Sequence, residues 1–349
     1  PRTAPGPTVA AAQIWEDRSM RRLVLAVTLL LSMGLVPLAA AAQSTPEPAT
    51  IDTAEFGPVP AAALGPAIPA KGYLVEEIRD GVYWITDGLY QAMFLTTGQG
   101  VILVDAPPSI GPNLLKAIAE MTTEPVKYLV YSHHHADHIG GAGQFAGATI
   151  VAQDETAALL KRDADPNRPP PTVTFATGYT LTVGSQTLQL DYHGVNHEPG
   201  NIFVYAPRQK VLMAVDIVFP GWVPFPYLAV SKDVPNFIAS HDQMLAYDFE
   251  TFVGGHLTRL GARGDVETSR DYVLDVKANA AAALKSVDVG KIAGRVGPGN
   301  PWALFRVYLD TVAQTRADAT IPVWKDRLGG TDIFTFSHCW AMVESLRID

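Results

Sequence analysis

The segment Tyr131-Ser132-His133-His134-His135-Ala136-Asp137-His138-Ile139-Gly140-Gly141 places His133, His135, Asp137 and His138 within six residues. Burying such a set is expensive unless a metal ion takes up the lone pairs. Nitrogen and oxygen donors without cysteine suit zinc, and also iron or manganese. Residues 126–132 read as an apolar strand, and residues 139–145 begin a helix. His133 and His135, two apart in extended chain, point the same way, and His134 points away from them, to the surface or behind the ligands. The bland alternative is a polar surface loop with chance histidines.

Three later positions weigh against that alternative. His197 lies in Asn196-His197-Glu198-Pro199-Gly200-Asn201, after a strand at 187–192. Asp216 closes an apolar strand at 210–215, and His256 follows a strand at 251–253 and Gly254-Gly255. Taken singly, a His or Asp at a strand end is usually just solvated. Recurring in order, each at the C-terminal end of an expected strand, they point to one shared site, because ligand sites of layered α/β folds gather there.

The pattern His133-x-His135-x-Asp137-His138, then His197, Asp216 and His256, resembles the metallo-β-lactamase superfamily over Tyr73 to His256. The resemblance implies an α/β fold, an αββα sandwich with the metals at the sheet edge. It implies two divalent ions, zinc first, with iron or manganese also suitable. His133, His135 and His197 would hold the first ion, Asp137, His138 and His256 the second, and Asp216 would bridge them. The strand 101–105 looks like the family's early strand ending in an aspartate, Asp105, that braces the metal site. Class B β-lactamases tend to carry Cys or Ser where Asp216 stands, so the chain looks more like glyoxalase II-type thioesterases, lactonases and phosphotriesterases. Asp137 is the expected catalytic residue, orienting the attacking water and relaying a proton to the leaving group.

The function so implied is a dinuclear metal hydrolase of lactones or related esters, with phosphotriesters as promiscuous substrates. A class B-like β-lactamase is one alternative, and a mononuclear iron enzyme resembling the persulfide dioxygenases is another. A degenerate, metal-free binding protein would not need every ligand position filled. The aromatic, proline-stiffened loop 219–227, containing Trp222, either walls an apolar pocket or packs on the core. Tyr192, His193 and Asn201 flank His197 and are candidates for an oxyanion donor. His241, His338 and Cys339 read as helix residues.

The surrounding elements must hold these groups. The chain has 349 residues, of which 48% are hydrophobic and 17% charged, enough for a substantial core. A net charge of −9 argues against nucleic acid or an anionic membrane surface as main partner, leaving a small-molecule substrate. The single Cys339 rules out an intramolecular disulfide framework. Residues 1–19 read as an upstream extension. Residues 20–42 read as a signal peptide: Met20-Arg21-Arg22, an apolar run, then small residues with cleavage near Ala42. The run is short for a membrane span and is interrupted by Gly34 and Pro37, so no stable anchor is expected after cleavage, and the mature protein is expected to be periplasmic or secreted. Residues 43–71 form a Pro/Ala-rich arm, 72–265 the core domain, and 266–349 a helical extension packed on it. That extension either covers the site or builds a homodimer interface.

Further strands are expected at 82–86, 92–96, 101–105, 149–152, 180–183 and 202–206. Helices are expected at 112–121, 156–162, 235–247, 266–287, 302–317 and 337–347.

Overall fold

The computed structural model describes residues 56–297 and 299–349. The upstream extension, the signal peptide and the start of the arm lie outside the described residues.

Seven strands form one sheet in sequence order: β1 (Leu74–Arg79), β2 (Val82–Thr86), β3 (Gln91–Leu95), β4 (Val101–Val104), β5 (Val126–Val130), β6 (Thr149–Gln153) and β7 (Val173–Phe175). The first four are antiparallel and β4 to β7 run parallel. A second sheet, in the order β12-β11-β10-β9-β8, contains β8 (Gly178–Val183), β9 (Gln186–Asp191), β10 (Phe203–Ala206), β11 (Val211–Ala214) and β12 (Thr251–Val253). Only its β11–β12 pair is parallel.

Side-chain alternation turns these sheets into layers. In β4, Val101 and Leu103 face one core, while Ile102 and Val104 face another. In β10, Val204 and Ala206 meet that second core from the other sheet, and Phe203 and Tyr205 face a third. The second core therefore lies between the sheets. The first is covered by α1 (Asn113–Met121), α2 (Ala136–Ile139) and α3 (Asp154–Asp163). The third is covered by α4 (Val234–Leu245), α5 (Arg263–Ser286), α7 (Pro301–Trp324) and α8 (Thr331–Ile348), with α6 (Val289–Val296) packed on α7. The result is the expected αββα sandwich. Continuous apolar runs such as Val101–Val104 and Val211–Ala214 suit strands buried on both faces.

Local chemistry fixes the helix starts. The Asp233 side chain accepts from Asn236 N with Pro235 in the first turn of α4, and Asn300 caps α7 in the same way. Residues 266–349 are mostly helical, and their helices form most of the fourth layer.

Several elements differ from the sequence reading. The strand β1 falls in Leu-Val-Glu-Glu-Ile-Arg, whose paired glutamates break the alternation. The helix after the histidine cluster begins at Ala136 rather than 139, so Asp137 and His138 sit in its first turn. The helix α7 runs seven residues past Ala317, and α8 begins six before Ser337. Part of the supposedly irregular arm is fixed: a turn at Ala61–Ala63 presents carbonyls to the Trp222 indole and to Arg259. A Cβ at Gly221, whose φ is +81°, would lie 2.5 Å from the Ala62 carbonyl oxygen, so glycine permits this docking.

Candidate metal centre

The strand ends converge as the topology requires. Asp105 follows β4, the histidine cluster follows β5, Asp216 follows β11 and His256 follows β12. His197 comes from the β9–β10 loop. The two sheets are tied at this end: Gln91 N donates to the Gly255 carbonyl (2.8 Å), and its side-chain amide donates to His256 O, Leu257 O and Arg259 O. Gly255 has φ +84°, and a Cβ there would come within 2.7 Å of Val215 and 3.3 Å of His138.

All seven residues singled out as ligands meet. His133, His135, His197 and Asp216 form one donor cluster, and Asp137, His138 and His256 form another. Within the first, His197 Nε2 lies 3.1 Å from His135 Nδ1. Within the second, His138 Nε2 lies 3.0 Å from His256 Nε2. The Asp216 carboxylate stands between them. Its Oδ2 is 3.2 Å from His197 Nε2 and 3.2 Å from His138 Nε2, and its Oδ1 is 3.0 Å from His256 Nε2. Asp137 Oδ2 approaches His138 and His256 at 3.6 and 3.7 Å and is the most open of these carboxylates, its side chain 43% exposed.

Unshared lone pairs crowd the centre. His133 Nε2 is fully buried without a hydrogen-bond partner and lies 3.5 Å from Asp216 Oδ2. Burial pushes the His133 imidazolium well below its ordinary range, and neighbouring His138 adds to this. Burial alone would raise Asp216, but the imidazoles of His138 and His197 hold it well below the usual carboxylate range. A buried neutral imidazole with a free lone pair beside an ionised carboxylate is the donor set a divalent cation requires. The residues therefore fit divalent metal ions.

Groups behind the donors fix their orientation. His197 Nδ1 donates to the Ala229 carbonyl (2.6 Å), and His133 Nδ1 meets Ser132 Oγ at 3.0 Å. Asp105 is fully buried, accepts from Ser132 N (2.8 Å) and places its other oxygen 4.0 Å from His138 Nδ1. Burial pushes its carboxyl up to about 6 against the lowering effect of His138. Glu198 Oε2 is 3.3 Å from His135 Nε2, and His134 is buried beside it, Nδ1 4.0 Å from Oε1. The sequence reading quoted Glu198 without a role, although its place next to His197 marks it. It also missed Tyr90, whose hydroxyl donates to Asp137 Oδ2 (3.3 Å) from the turn before β3. The Ala229 carbonyl carries no residue-type signal at all.

Other candidates are engaged elsewhere. Tyr192 donates to Glu155, His193 pairs with Tyr247, and Asn201 donates to Asn196 Oδ1 and the Val215 carbonyl. None of the three faces the centre as an oxyanion donor would. Trp222 does not line the cleft: its indole donates to Ala63 O and its ring packs against Gly329. The cleft over the two donor clusters, about 230 Å³, is instead walled by Tyr90, Phe219, Phe225, Pro226, Ala229 and Val230.

Residues 85–256 match the family described as the metallo-beta-lactamase superfamily, and that span contains every donor named above. The chain belongs to the metallo-β-lactamase superfamily. Among curated relatives, the alpha subunit of 2,4-dinitroanisole O-demethylase from Nocardioides sp. (strain JS1661) is 29% identical over 242 residues, 67% of this chain and 70% of that one. The type 2 metallo-beta-lactamase of Elizabethkingia meningoseptica is 26% identical over 159 residues, 42% of this chain and 63% of that one. Among solved structures, a metallo-beta-lactamase from Pontibacter korlensis superposes with a TM-score of 0.49 at 25% identity, covering 57% of this chain and 97% of that one. The helical residues 263–349 fall beyond the superfamily match.

Proposed function

We propose that this superfamily member is a dinuclear metal-dependent hydrolase, exported by its leader, that acts on an uncharged lactone or ester with an apolar body. The observation that carries this reading is Asp216, whose two carboxylate oxygens reach donors of both clusters. His133, His135 and His197 would hold one ion, Asp137, His138 and His256 the other, with zinc as the expected metal. When bound, the ions supply Lewis-acid polarisation of a carbonyl or phosphoryl oxygen and bring the pKa of water toward neutrality. Asp137 faces the cleft and can accept the water's proton and pass it to the leaving group. Tyr90 holds Asp137 Oδ2 in place and offers its hydroxyl at the cleft wall. The aromatic wall excludes water and orients the apolar part of the substrate.

Among the described residues lining this cleft, none is lysine or arginine. That favours an uncharged substrate over a carboxylate-bearing β-lactam, which a cation would clamp. The relative named for 2,4-dinitroanisole, an uncharged aromatic compound, supports the same class. A panel of a lactone, a thioester, a nitrocefin-like lactam and an aryl phosphotriester tests the reading. Fastest turnover is expected on the lactone or ester, slower on the phosphotriester. A lactam preference would overturn it.

A further inference from the structure

Residues Tyr227, Leu228, Ala229 and Val230 have φ of +56°, +57°, +55° and +48°. Four successive non-glycine residues in the left-handed region form a left-handed helical turn, which costs every L-residue in it. The turn is closed by Ala229 N donating to Phe225 O (2.9 Å) and by Ser231 N donating to Leu228 O (3.2 Å). Such a conformation persists only where its surroundings impose it.

The imposing contacts come from α8. His338 Nε2 donates to the same Phe225 carbonyl that closes the turn (2.9 Å). Tyr227 N donates to Ser337 Oγ (3.0 Å). The Phe225 ring stacks on Phe334 at 5.9 Å, and Tyr227 meets Trp340 edge-on at 6.0 Å. His338 is itself fixed. It is fully buried, and the Tyr272 hydroxyl of α5 donates to its Nδ1 (2.7 Å), so its proton stays on Nε2. Burial pushes its imidazolium down to about 4, so the ring is neutral at ordinary pH.

On its other side the turn touches the metal centre twice. The Ala229 carbonyl accepts from His197 Nδ1, which leaves Nε2 free to face the metal. Phe225, Pro226, Ala229 and Val230 form part of the cleft wall.

We infer that the C-terminal helix α8, through His338 and Ser337, holds the left-handed turn that positions the ligand His197 and sets the substrate-selecting wall. His338 is thus a positioning residue, and the extension is a working part of the site. The inference rests on the reading of the cluster as a metal-holding hydrolase site.

The test uses the full chain with His338→Phe, which keeps a ring and removes the donor. Ser337→Ala serves as a milder second variant should the first fail to fold. Retention of zinc against a competing chelator is measured first, then the kcat/KM ratio for a long and a short acyl ester. His338→Phe is expected to weaken retention of one of the two ions about tenfold or more and to flatten the ester ratio. Ser337→Ala should do both to a smaller extent. Adding Ala229→Gly to His338→Phe should restore both readouts in large part, because glycine enters the left-handed region without steric cost. Unchanged retention and ratio in a folded His338 variant would overturn the inference. So would losses that Ala229→Gly does not relieve, which would mark ordinary core damage. A wild-type chain that retains zinc but hydrolyses no ester would overturn the proposed function alone, since retention still decides the role of α8. A wild-type chain that binds no metal would overturn both.

Discussion

Asp216 is the residue at which the two donor clusters meet, and its backbone φ of +63° shows how tightly the chain turns to put it there. Replacing it with cysteine exchanges a carboxylate that reaches both clusters for a single thiolate. The Asp216→Cys variant is expected to shift metal content toward zinc and to lose most hydrolysis. Elemental analysis and rate together check this, and wild-type values in both would remove Asp216 from the ligand set. Glu198 acts one step back. His135 turns Nδ1 toward the other donors, and with a metal held there its proton would sit on Nε2, 3.3 Å from the Glu198 carboxylate. Glu198→Gln is expected to weaken metal retention about 10–100-fold with little change in melting temperature. Retention equal to wild type would show that the carboxylate does not orient His135. The ligand candidates were legible because they recur at strand ends with motif spacing. Glu198 was legible only as a neighbour of His197. Tyr90 was not, because its reach to Asp137 depends on how β3 is tied to β12 across the two sheets.

The strands were the easiest elements to read, since apolar runs bounded by Asp87-Gly88, by residues 98–100 and by Gly184-Ser185 leave few alternatives. β1 escaped because its glutamates interrupt the alternation, and the left-handed turn escaped because it contains no glycine to mark it. The loop 219–227 was legible as aromatic and stiff, but not which of its rings face the cleft. The structure divides them: Phe219 and Phe225 face it, whereas Trp222 packs under Gly329 and bonds the Ala63 carbonyl. Trp222→Ala is therefore expected to cost about 3 kcal/mol of stability. It should leave the ratio of long- to short-acyl turnover unchanged. Phe225→Ala should instead lower kcat/KM for the long ester by tenfold or more while sparing the short one. Thermal melting with paired kinetics separates the two, and a selectivity change confined to Trp222 would reverse the assignment.

At the scale of the molecule, the four layers bring chain segments from Asp105 to His256 to one end of the sandwich, and the helical extension closes over the neighbouring turn. The layered fold could be read from the order of strands and helices. The part played by residues 263–349 could not, because an amphipathic helix declares that it packs and not what it packs against. Everything argued for the site depends on its holding two ions. The measurement that tests this most directly is the count of metal per chain in purified, zinc-reconstituted protein, taken alongside activity before and after chelation. Two equivalents are expected, with activity lost on chelation and regained when zinc is returned. At most one tightly bound ion in fully active protein would contradict the account.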